Sequence, residues 1–405
     1  MGLLILLTLL IEVGVLLYLE VKAWHTLYTP LTFLMLPYVA VLLLTVAVAG
    51  RWGIVEFYYP SVVYWNVGLL LFAIPSYVMG FALQKHGKPV IKPIDDGNGM
   101  SKVATILAVI MCLLFIYRFK VVLGTSTAPL GSDEFGMDYD GHGLWAHLSK
   151  FNLPLLVLCV YYADRKKWWL WVLMILLIAI TFLHQVKGWV IIPCVAGLAM
   201  RLYSGKTHLT MKFVFYIVIG AVAVFLISYI LSLVVGGSAV LGGAIIEFIL
   251  RHFLHYVTSG VLGFSMDLAA GMPDKGSMEV LFAQFVNIIN LITGNNEIIS
   301  QVNGVFVYTG LNYTNVRTMF GTIAVYTGPA QFAFVTVLIS TVIYLLKVMT
   351  IRFRSVYVNL IYFYECALLC MGWFEYYFFH LDAIEVPVMT IIVMVIVSLL
   401  DSKTA

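Results

Sequence analysis

The chain has 405 residues, of which 62% are hydrophobic and only 11% are charged. Because a soluble domain carries about 25% charged residues, this composition excludes a water-soluble fold. The mean hydropathy of +1.00 indicates that lipid is the solvent for most of the apolar surface. The net charge of +3 is small, and the basic residues lie in short clusters between apolar runs, which argues against nucleic acid as a partner.

Apolar runs of the length that a bilayer requires, roughly 17 to 25 residues, recur along the chain. They predict an all-α integral membrane protein, a polytopic bundle that forms a single transmembrane domain over residues 1–405. Eleven spans are expected, near residues 2–19, 31–50, 61–83, 103–123, 146–162, 168–183, 188–203, 212–235, 323–347, 355–374 and 386–400.

Lysine and arginine collect in alternate loops, and short loops rich in these residues face the cytoplasm. This alternation places the N-terminus outside and the C-terminus inside, as expected for a multi-pass protein of the cytoplasmic (inner) membrane. The basic loops are 84–102, 163–167, 201–212 and 347–354, whereas loops 124–145 and 375–385 are acidic or nearly neutral.

One connection, residues 236–322, is much longer than the others and lies on the outer face in this topology. Long connections that are not of low complexity usually carry function, so we expect a large periplasmic catalytic loop here. Its apolar first part, 241–270, contains charged residues and several glycines, which predicts a helix that lies along the interface or dips into the bilayer. A second amphipathic helix is predicted at about 278–291.

Motifs of several enzyme classes are missing from the sequence. It contains no Walker loop, no paired CxxC, no HExxH and no nucleophile elbow, which argues against ATP hydrolysis and zinc chemistry. The five cysteines all lie inside apolar runs and are interpreted as inert.

Cationic and titratable residues gather on the outer side of the predicted topology. Arg251 and His255 are four residues apart, so on a helix they share one face, and His252 lies one residue round from Arg251. Arg317 precedes the ninth span, and Lys187 closes the turn between the sixth and seventh spans. Ionisable residues at this depth usually serve a polar ligand. Because arginine binds phosphate bidentately and lysine adds a point charge, the pattern predicts a clamp for a lipid-linked sugar diphosphate.

Three stretches of the chain carry a family resemblance. They are Arg251-His-Phe-Leu-His-Tyr-Val-Thr-Ser-Gly260, Val186-Lys-Gly188 and Thr314-Asn-Val-Arg-Thr-Met-Phe-Gly321. These stretches resemble bacterial oligosaccharide repeat-unit polymerases, the Wzy-type O-antigen and capsular polysaccharide polymerases. The number of helices and the single large outer loop after the eighth also resemble this family. The resemblance implies a membrane glycosyltransferase with a GT-C-like fold.

The resemblance also implies the reaction. A growing glycan on undecaprenyl diphosphate moves to a sugar hydroxyl of a second lipid-linked repeat unit, and the diphosphate is the leaving group. The enzyme must hold that diphosphate as charge develops on it. Because arginine and lysine can supply the counter-charge, no metal and no cofactor are predicted. Such polymerases often work with a chain-length regulator protein.

Roles for individual residues follow from that reaction. The predicted base is a histidine, whose unperturbed pKa of about 6.5 suits proton transfer at neutral pH. The predicted clamp is Arg251 and Arg317 with Lys187 in support, and the candidate bases are His252 and His255 with Glu247 in reserve.

Aromatic side chains on the predicted outer side include Tyr256 and Tyr313. Sugar rings stack on such faces, so these two tyrosines are candidate glycan contacts. Tyrosine belts also mark membrane interfaces, and a purely anchoring role therefore stays open.

Two other functions stay open as well. An O-antigen ligase uses the same lipid-linked donor but delivers the glycan to lipid A core. A flippase or transporter for a lipid-linked sugar would show broken helices, buried charges near the midplane and related halves. In this sequence the charges lie mostly at one face, Glu12 and Glu365 are the chief exceptions inside spans, and no repeat is evident.

Overall fold

The structure is a computed structural model in which helices dominate. It describes residues 2–85, 94, 100–130, 132–141, 143–184, 186–212, 215, 219–220, 222–223, 226, 243–272 and 276–401.

Seven helical segments in the described residues are long and apolar enough to cross a membrane. Each coincides with a predicted span, and the protein is an all-α membrane protein. The segments are α1 (Gly2–Trp24), α2 (Pro30–Val48), α3 (Ser61–Lys85), α4 (Lys102–Thr125), α6 (Leu144–Ser149) together with α7 (Asn152–Tyr162), α13 (Pro329–Phe353) and α15 (Asp382–Asp401).

Shorter helices complete the described chain. Three of them coincide with predicted spans: α8 (Trp168–Phe182), α9 (Gly188–Tyr203) and α14 (Val356–Cys370). The predicted span 212–235 lies largely outside the described residues. The other helices are α5 (Asp133–Asp140), α10 (Gly243–Ala269), α11 (Ala283–Thr293), α12 (Met319–Tyr326) and two 3-10 helices, Met278–Phe282 and Tyr377–Phe379.

The ninth span was predicted over 323–347, and the structure corrects its start. Helix α12 ends at Tyr326, Thr327 is extended (φ −136°, ψ 156°), and the spanning helix α13 begins at Pro329. Proline disfavours the helical conformation of the residue before it but suits the first position of a helix, so Gly328-Pro329 separates the two helices. The predicted span 146–162 is likewise divided, because α6 ends at Ser149 and α7 begins at Asn152.

The chain forms two compact units. The first unit comprises residues 1–92, 250–352 and 365–383, and the second comprises 93–249, 353–364 and 384–405.

Helices α1, α3 and α13 of the first unit run in the same direction. Gly80 near the end of α3 packs against Ala23 near the end of α1, where an added Cβ would lie 2.9 Å from the Cβ of Ala23. Ser340 of α13 donates a 2.5 Å hydrogen bond to the carbonyl oxygen of Phe72 in the middle of α3. Trp24 and Tyr344 then stack at the C-terminal ends, with ring centroids 5.5 Å apart.

A small hairpin lies at the opposite, N-terminal ends of these helices. Strand β1 (Val307–Tyr308) pairs antiparallel with β2 (Tyr313–Thr314). Gly310 in its turn has φ +94°, and an added Cβ would lie 2.0 Å from the carbonyl oxygen of Gly53 in the α2–α3 loop. Only glycine fits such a backbone approach. The hairpin is therefore fixed to the end of the first unit that lies away from Lys22, Lys85 and Arg352, which are in the last turns of α1, α3 and α13.

Aromatic packing attaches α12 to the core of the first unit. Trp65 is fully buried, its ring stacks on Tyr38, and its Nε1 donates a 3.0 Å hydrogen bond to Thr318 Oγ1. Thr318 in turn caps α12 by accepting from the amide of Gly321. The start of α12, directly after Arg317, is thus held in place.

Helices α7, α8 and α9 of the second unit form an up-and-down trio. The five-residue connection 163–167 makes α7 and α8 antiparallel neighbours. Arg201 near the end of α9 donates to the carbonyl oxygens of Tyr161 (3.0 Å) and Ala163 (2.5 Å), so the C-terminal ends of α7 and α9 lie together. The starts of α7 and α9 and the end of α8 therefore share the other end of the trio.

Candidate functional site

The described part of the long connection that belongs to the first unit, residues 250–272 and 276–322, is named the cap. Helix α10 forms its centre, and the glycines of the apolar run allow backbone to approach it closely. An added Cβ at Gly260 would lie 2.3 Å from the carbonyl oxygen of Phe374, and one at Gly263 would lie 2.5 Å from that of Val316. Helix α10 is accordingly buried along 258–265 by other parts of the first unit.

The histidines and arginine predicted on α10 differ in exposure. Arg251 is exposed, His252 is half-buried and His255 is only 7% exposed. The ring centroids of His252 and His255 are 6.2 Å apart, and those of His252 and Tyr256 are 6.4 Å apart. The structure therefore brings these predicted residues together in the first half of α10, where the cap begins.

His255 connects α10 to the hairpin. Its Nδ1 lies 3.1 Å from Thr309 Oγ1, and the ring also bonds to the backbone of Tyr313. The pKa of His255 is lowered to about 4, mainly by burial and also by the neighbouring charge of His252, while the bond to Tyr313 opposes the shift. A neutral imidazole engaged in this way positions the hairpin and is a weaker proton acceptor than the sequence suggests.

Arg317 makes an ion pair that sequence reasoning missed. Its Nε and Nη2 donate to the two carboxylate oxygens of Asp267, with an Nη2–Oδ1 distance of 2.9 Å. The side chains of Arg317 and Asp267 are 1% and 2% exposed. The remaining N–H groups point at backbone carbonyl oxygens of Val316 (3.0 Å), Thr314 (3.4 Å) and Val305 (3.4 Å).

All five N–H donors of a guanidinium are accounted for by these contacts. Through these bonds Arg317 fastens the hairpin segment to α10. The available signal was Asp267 itself, since a lone carboxylate in an apolar helix requires a partner. Fifty residues separate the two side chains along the chain, and local periodicity does not reveal such a pairing.

The two predicted glycan contacts occupy different surroundings. Tyr256 stacks on Phe374 with ring centroids 5.6 Å apart and an interplanar angle of 9°. One face of its ring is therefore covered. Tyr313 is 61% exposed and lies beside the exposed Tyr308, with ring centroids 5.2 Å apart. The hairpin thus carries the more accessible pair of aromatic faces.

Lys187 and Glu247 belong to the second unit. Lys187 is half-buried at the start of α9, and Glu247 is exposed in the first turns of α10. Both side chains have partners of their own.

An apolar cavity of about 570 Å³ opens in the first unit between α3 and the start of α13. This volume falls in the range of about 300–1,000 Å³ that is common for small-molecule sites. Its lining includes Val63, Tyr64, Val67, Pro329 and Phe332, and it reaches Met272 of the cap. The cavity therefore lies at the same end of the helices as the hairpin, and it presents hydrocarbon surface to whatever occupies it.

Comparison with known families assigns the chain to one of them. Residues 53–404, most of its length, match the model of the family of unknown function DUF6337. The chain belongs to this family. No curated protein and no solved structure matches it. The matched region of the DUF6337 family covers the cap, the apolar cavity and nearly all of the second unit.

Proposed function

We propose that the protein is a membrane glycosyltransferase that polymerises lipid-linked oligosaccharide repeat units on the outer face of the cytoplasmic membrane. Undecaprenyl diphosphate carries both substrates, and the growing glycan moves to a sugar hydroxyl of the incoming unit. The reaction uses no metal in this proposal, because side-chain cations oppose the charge of the leaving diphosphate.

The observation that carries the proposal is the apolar cavity below the cap. A polyprenyl-linked sugar has a hydrocarbon chain that stays in the bilayer and a polar head at the interface. The cavity offers apolar walls between two spanning helices, and its lining ends at Met272 of the cap. The cap also carries Arg251, His252 and the exposed tyrosines of the hairpin. This combination suits an amphiphile better than a soluble substrate.

The distribution of charge supports an outer location for the cap. Lys22, Lys85 and Arg352 lie in the last turns of α1, α3 and α13, at the ends of these helices away from the hairpin. Positive residues favour the cytoplasmic side, so the cap faces outward and the N-terminus of α1 lies outside. The proposal includes eleven spans, with the segment 212–235 as the eighth, and a GT-C-like arrangement.

The proposed chemistry assigns a smaller clamp than the sequence suggests. Arg251 of the cap binds the departing diphosphate, while Arg317 shapes the cap through Asp267. His252 and Glu247 are candidates to take the proton of the acceptor hydroxyl, and His255 supports the hairpin. The bond between the donor sugar and the diphosphate breaks as the acceptor oxygen attacks, and the diphosphate leaves with the electron pair.

Product analysis tests this function. Protein purified in detergent receives a synthetic polyprenyl-diphosphate repeat unit without nucleotide or added metal, and lipid-linked products are separated by length. We expect a ladder of longer glycans from the wild type and a loss of about 10²–10³-fold in Arg251→Ala. Arg352→Ala, which removes an arginine from the opposite ends of the helices, is the matched control and keeps the ladder. Single units in every sample contradict polymerase activity, and transfer to added lipid A core then indicates a ligase.

A buried polar network favours transport as a second candidate function. Glu20 of α1 is fully buried and accepts hydrogen bonds from Ser76 of α3 and from Tyr344 of α13 at 3.1 Å. Lys347, 2% exposed, donates to the carbonyl oxygen of Tyr28 at 2.9 Å. Ionisable side chains inside spans often mark a pathway. Movement of a fluorescent lipid-linked sugar across vesicles containing the protein, abolished by Glu20→Gln, would support transport over polymerisation.

A further inference from the structure

Helix α11 of the cap exposes a set of apolar side chains that has no role in the function proposed above. Phe285, Ile289 and Ile292 are 50%, 57% and 78% exposed, and Ile288 and Leu291 beside them are 37% and 80% exposed. Positions 285, 288, 289 and 292 are three or four residues apart, so they share one side of the helix. We name these five residues the apolar face of α11.

The polar residues of α11 lie on the opposite side of the helix, and that side is covered by protein. Asn287 donates to the carbonyl oxygen of Ile299 at 3.0 Å and accepts from the amide of Ile299 at 2.8 Å. Asn290 donates to the carbonyl oxygen of Glu297 at 2.8 Å. A surface helix of a soluble protein turns its apolar side to the core and its polar side to water. The polarity of α11 is therefore reversed.

Contacts at the start of α11 fix its level along the spanning helices of the first unit. Gln284 is 4% exposed and donates to the carbonyl oxygen of Phe378, in the connection between α14 and α15. Just before α11, an added Cβ at Gly276 would lie 2.5 Å from the ring of Tyr326, the last residue of α12. The spanning helix α13 then begins at Pro329. Helix α11 thus begins at the level where a span begins.

The exposure and charge of this region match those of a surface that meets lipid. Phe334 and Val342 of the spanning helix α13 are 59% and 51% exposed, much like the residues of the apolar face. Between Glu279 and Arg317 the sequence contains one charged residue, Glu297. Helices that bind membranes through anionic lipids carry lysine and arginine on the polar side, and α11 has neither. Its apolar face therefore suits the hydrocarbon of the bilayer and not the charge of the head groups.

A protein partner suits the apolar face less well than lipid does. Specific protein interfaces have a polar rim that forms hydrogen bonds with the partner. The polar side chains that border the apolar face are already bonded within the cap. Asn287 and Asn290 bond to the loop that follows α11, and Thr293 donates to the carbonyl oxygen of Ile289 at 2.9 Å. The side chains left for an occupant are hydrocarbon.

We propose that the apolar face of α11 lies in the bilayer leaflet at which α13 begins and holds the cap there. Helices of this kind bury their apolar side about 5–10 Å into the boundary between head groups and acyl chains. The occupant is lipid because the spans already bring the bilayer to this end of the first unit. The anchored cap keeps Met272, in the lining of the apolar cavity, at the membrane surface. Anchoring of α11 does not depend on the proposed glycosyl transfer.

Photo-crosslinking in vesicles tests this placement. The photoreactive residue benzoylphenylalanine is placed at Ile292, at Phe334 or at Glu297 of the full chain, and each variant is reconstituted in phosphatidylcholine vesicles and irradiated. Glu297 is the matched control, because it is also exposed but belongs to the loop on the polar side of α11. Mass spectrometry of the peptides should find lipid adducts at Ile292 in a yield similar to that at Phe334 of the spanning helix, and little adduct at Glu297.

Three results of this experiment would overturn the placement. The first is a lack of lipid adducts at Ile292 when Phe334 reacts. The second is an equal yield at Ile292 and Glu297, which would show that the apolar face is not the side turned to lipid. The third is a crosslink from Ile292 to a second copy of the chain, which would assign the face to a protein interface.

A second measurement uses the wild-type chain, so that no variant has to fold. A lipid-soluble diazirine is photolysed in vesicles that contain the protein, and the labelled positions are mapped by mass spectrometry. We expect label at positions 285, 288, 289 and 292 and none at Asn287 or Asn290. The pattern should be the same with and without phosphatidylglycerol, because the apolar face has no cationic residue. Label confined to the spans, or label on α11 only when anionic lipid is present, would overturn the proposal.

Discussion

The Arg317–Asp267 pair of the cap and the His184–Asp140 pair of the second unit differ in the burial of the carboxylate, which is 2% exposed in Asp267 and 32% exposed in Asp140. In each, the nitrogen-bearing side chain is 1% exposed and contacts a carboxylate. Their hydrogen bonding differs. Every N–H of Arg317 has an acceptor, whereas His184 has no aligned hydrogen bond among the described residues. A satisfied buried group stabilises the fold, and an unsatisfied one lowers stability unless a ligand completes it.

Removing the carboxylate of Asp267 is the largest expected perturbation. Asp267→Asn leaves the buried charge of Arg317 uncompensated, which should reduce stability by about 3–5 kcal/mol. Thermal denaturation of purified protein in detergent measures the loss. Asp267→Leu combined with Arg317→Met removes both charges and should recover most of it, since apolar residues of similar volume often replace buried ion pairs without cost. A change below about 1 kcal/mol in the single variant would show that the pair is not buried as described.

The hairpin contact predicts the next largest effect. Gly310 and Gly271 both have φ +94°, but only at Gly310 would a Cβ collide with backbone, 2.0 Å from the oxygen of Gly53; at Gly271 nothing lies within 4 Å. In both alanine variants the left-handed backbone conformation costs about 1–2 kcal/mol of stability. Gly310→Ala should cost about 1–3 kcal/mol more because of the collision. Equal melting temperatures for the two variants would mean that the hairpin is not fixed to the α2–α3 loop.

His255 gives the cap a pH dependence. Its pKa is about 6.5 in an unfolded chain, but burial lowers it to about 4 in the folded protein. Between these values the unfolded state binds more protons, so stability falls as pH drops from about 6.5 toward 4. His255→Gln should flatten this part of the profile. Melting temperatures recorded across that pH range measure the effect. Parallel curves for His255→Gln and the wild type would refute the assignment of this pH dependence to His255.

The spans could be predicted from the sequence because a helix that crosses the bilayer needs an apolar run as long as the bilayer is thick. This requirement does not depend on which other helices the span contacts. It misplaced the start of α13 because hydropathy does not register the break that Pro329 imposes on a continuous apolar run. Arg251 and His252 could be named from spacing along one helix. Asp267 as the partner of Arg317, and Asp140 as the partner of His184, could not, because tertiary folding alone brings such distant residues together.

The smallest expected effects come from replacing two asparagines, one with a hydrogen-bonded side chain and one without. Asn287 in the cap region donates to the carbonyl oxygen of Ile299 (3.0 Å) and accepts from its amide (2.8 Å), whereas Asn152 makes no side-chain hydrogen bond among the described residues. Asn287→Leu should lower stability by about 0.5–1.5 kcal/mol for each lost bond. Asn152→Leu removes a buried polar group that bonds to no residue in the described part of the chain, so it should leave the melting temperature unchanged or raise it. If Asn152→Leu destabilises as much as Asn287→Leu, the amide of Asn152 is already satisfied in the folded protein.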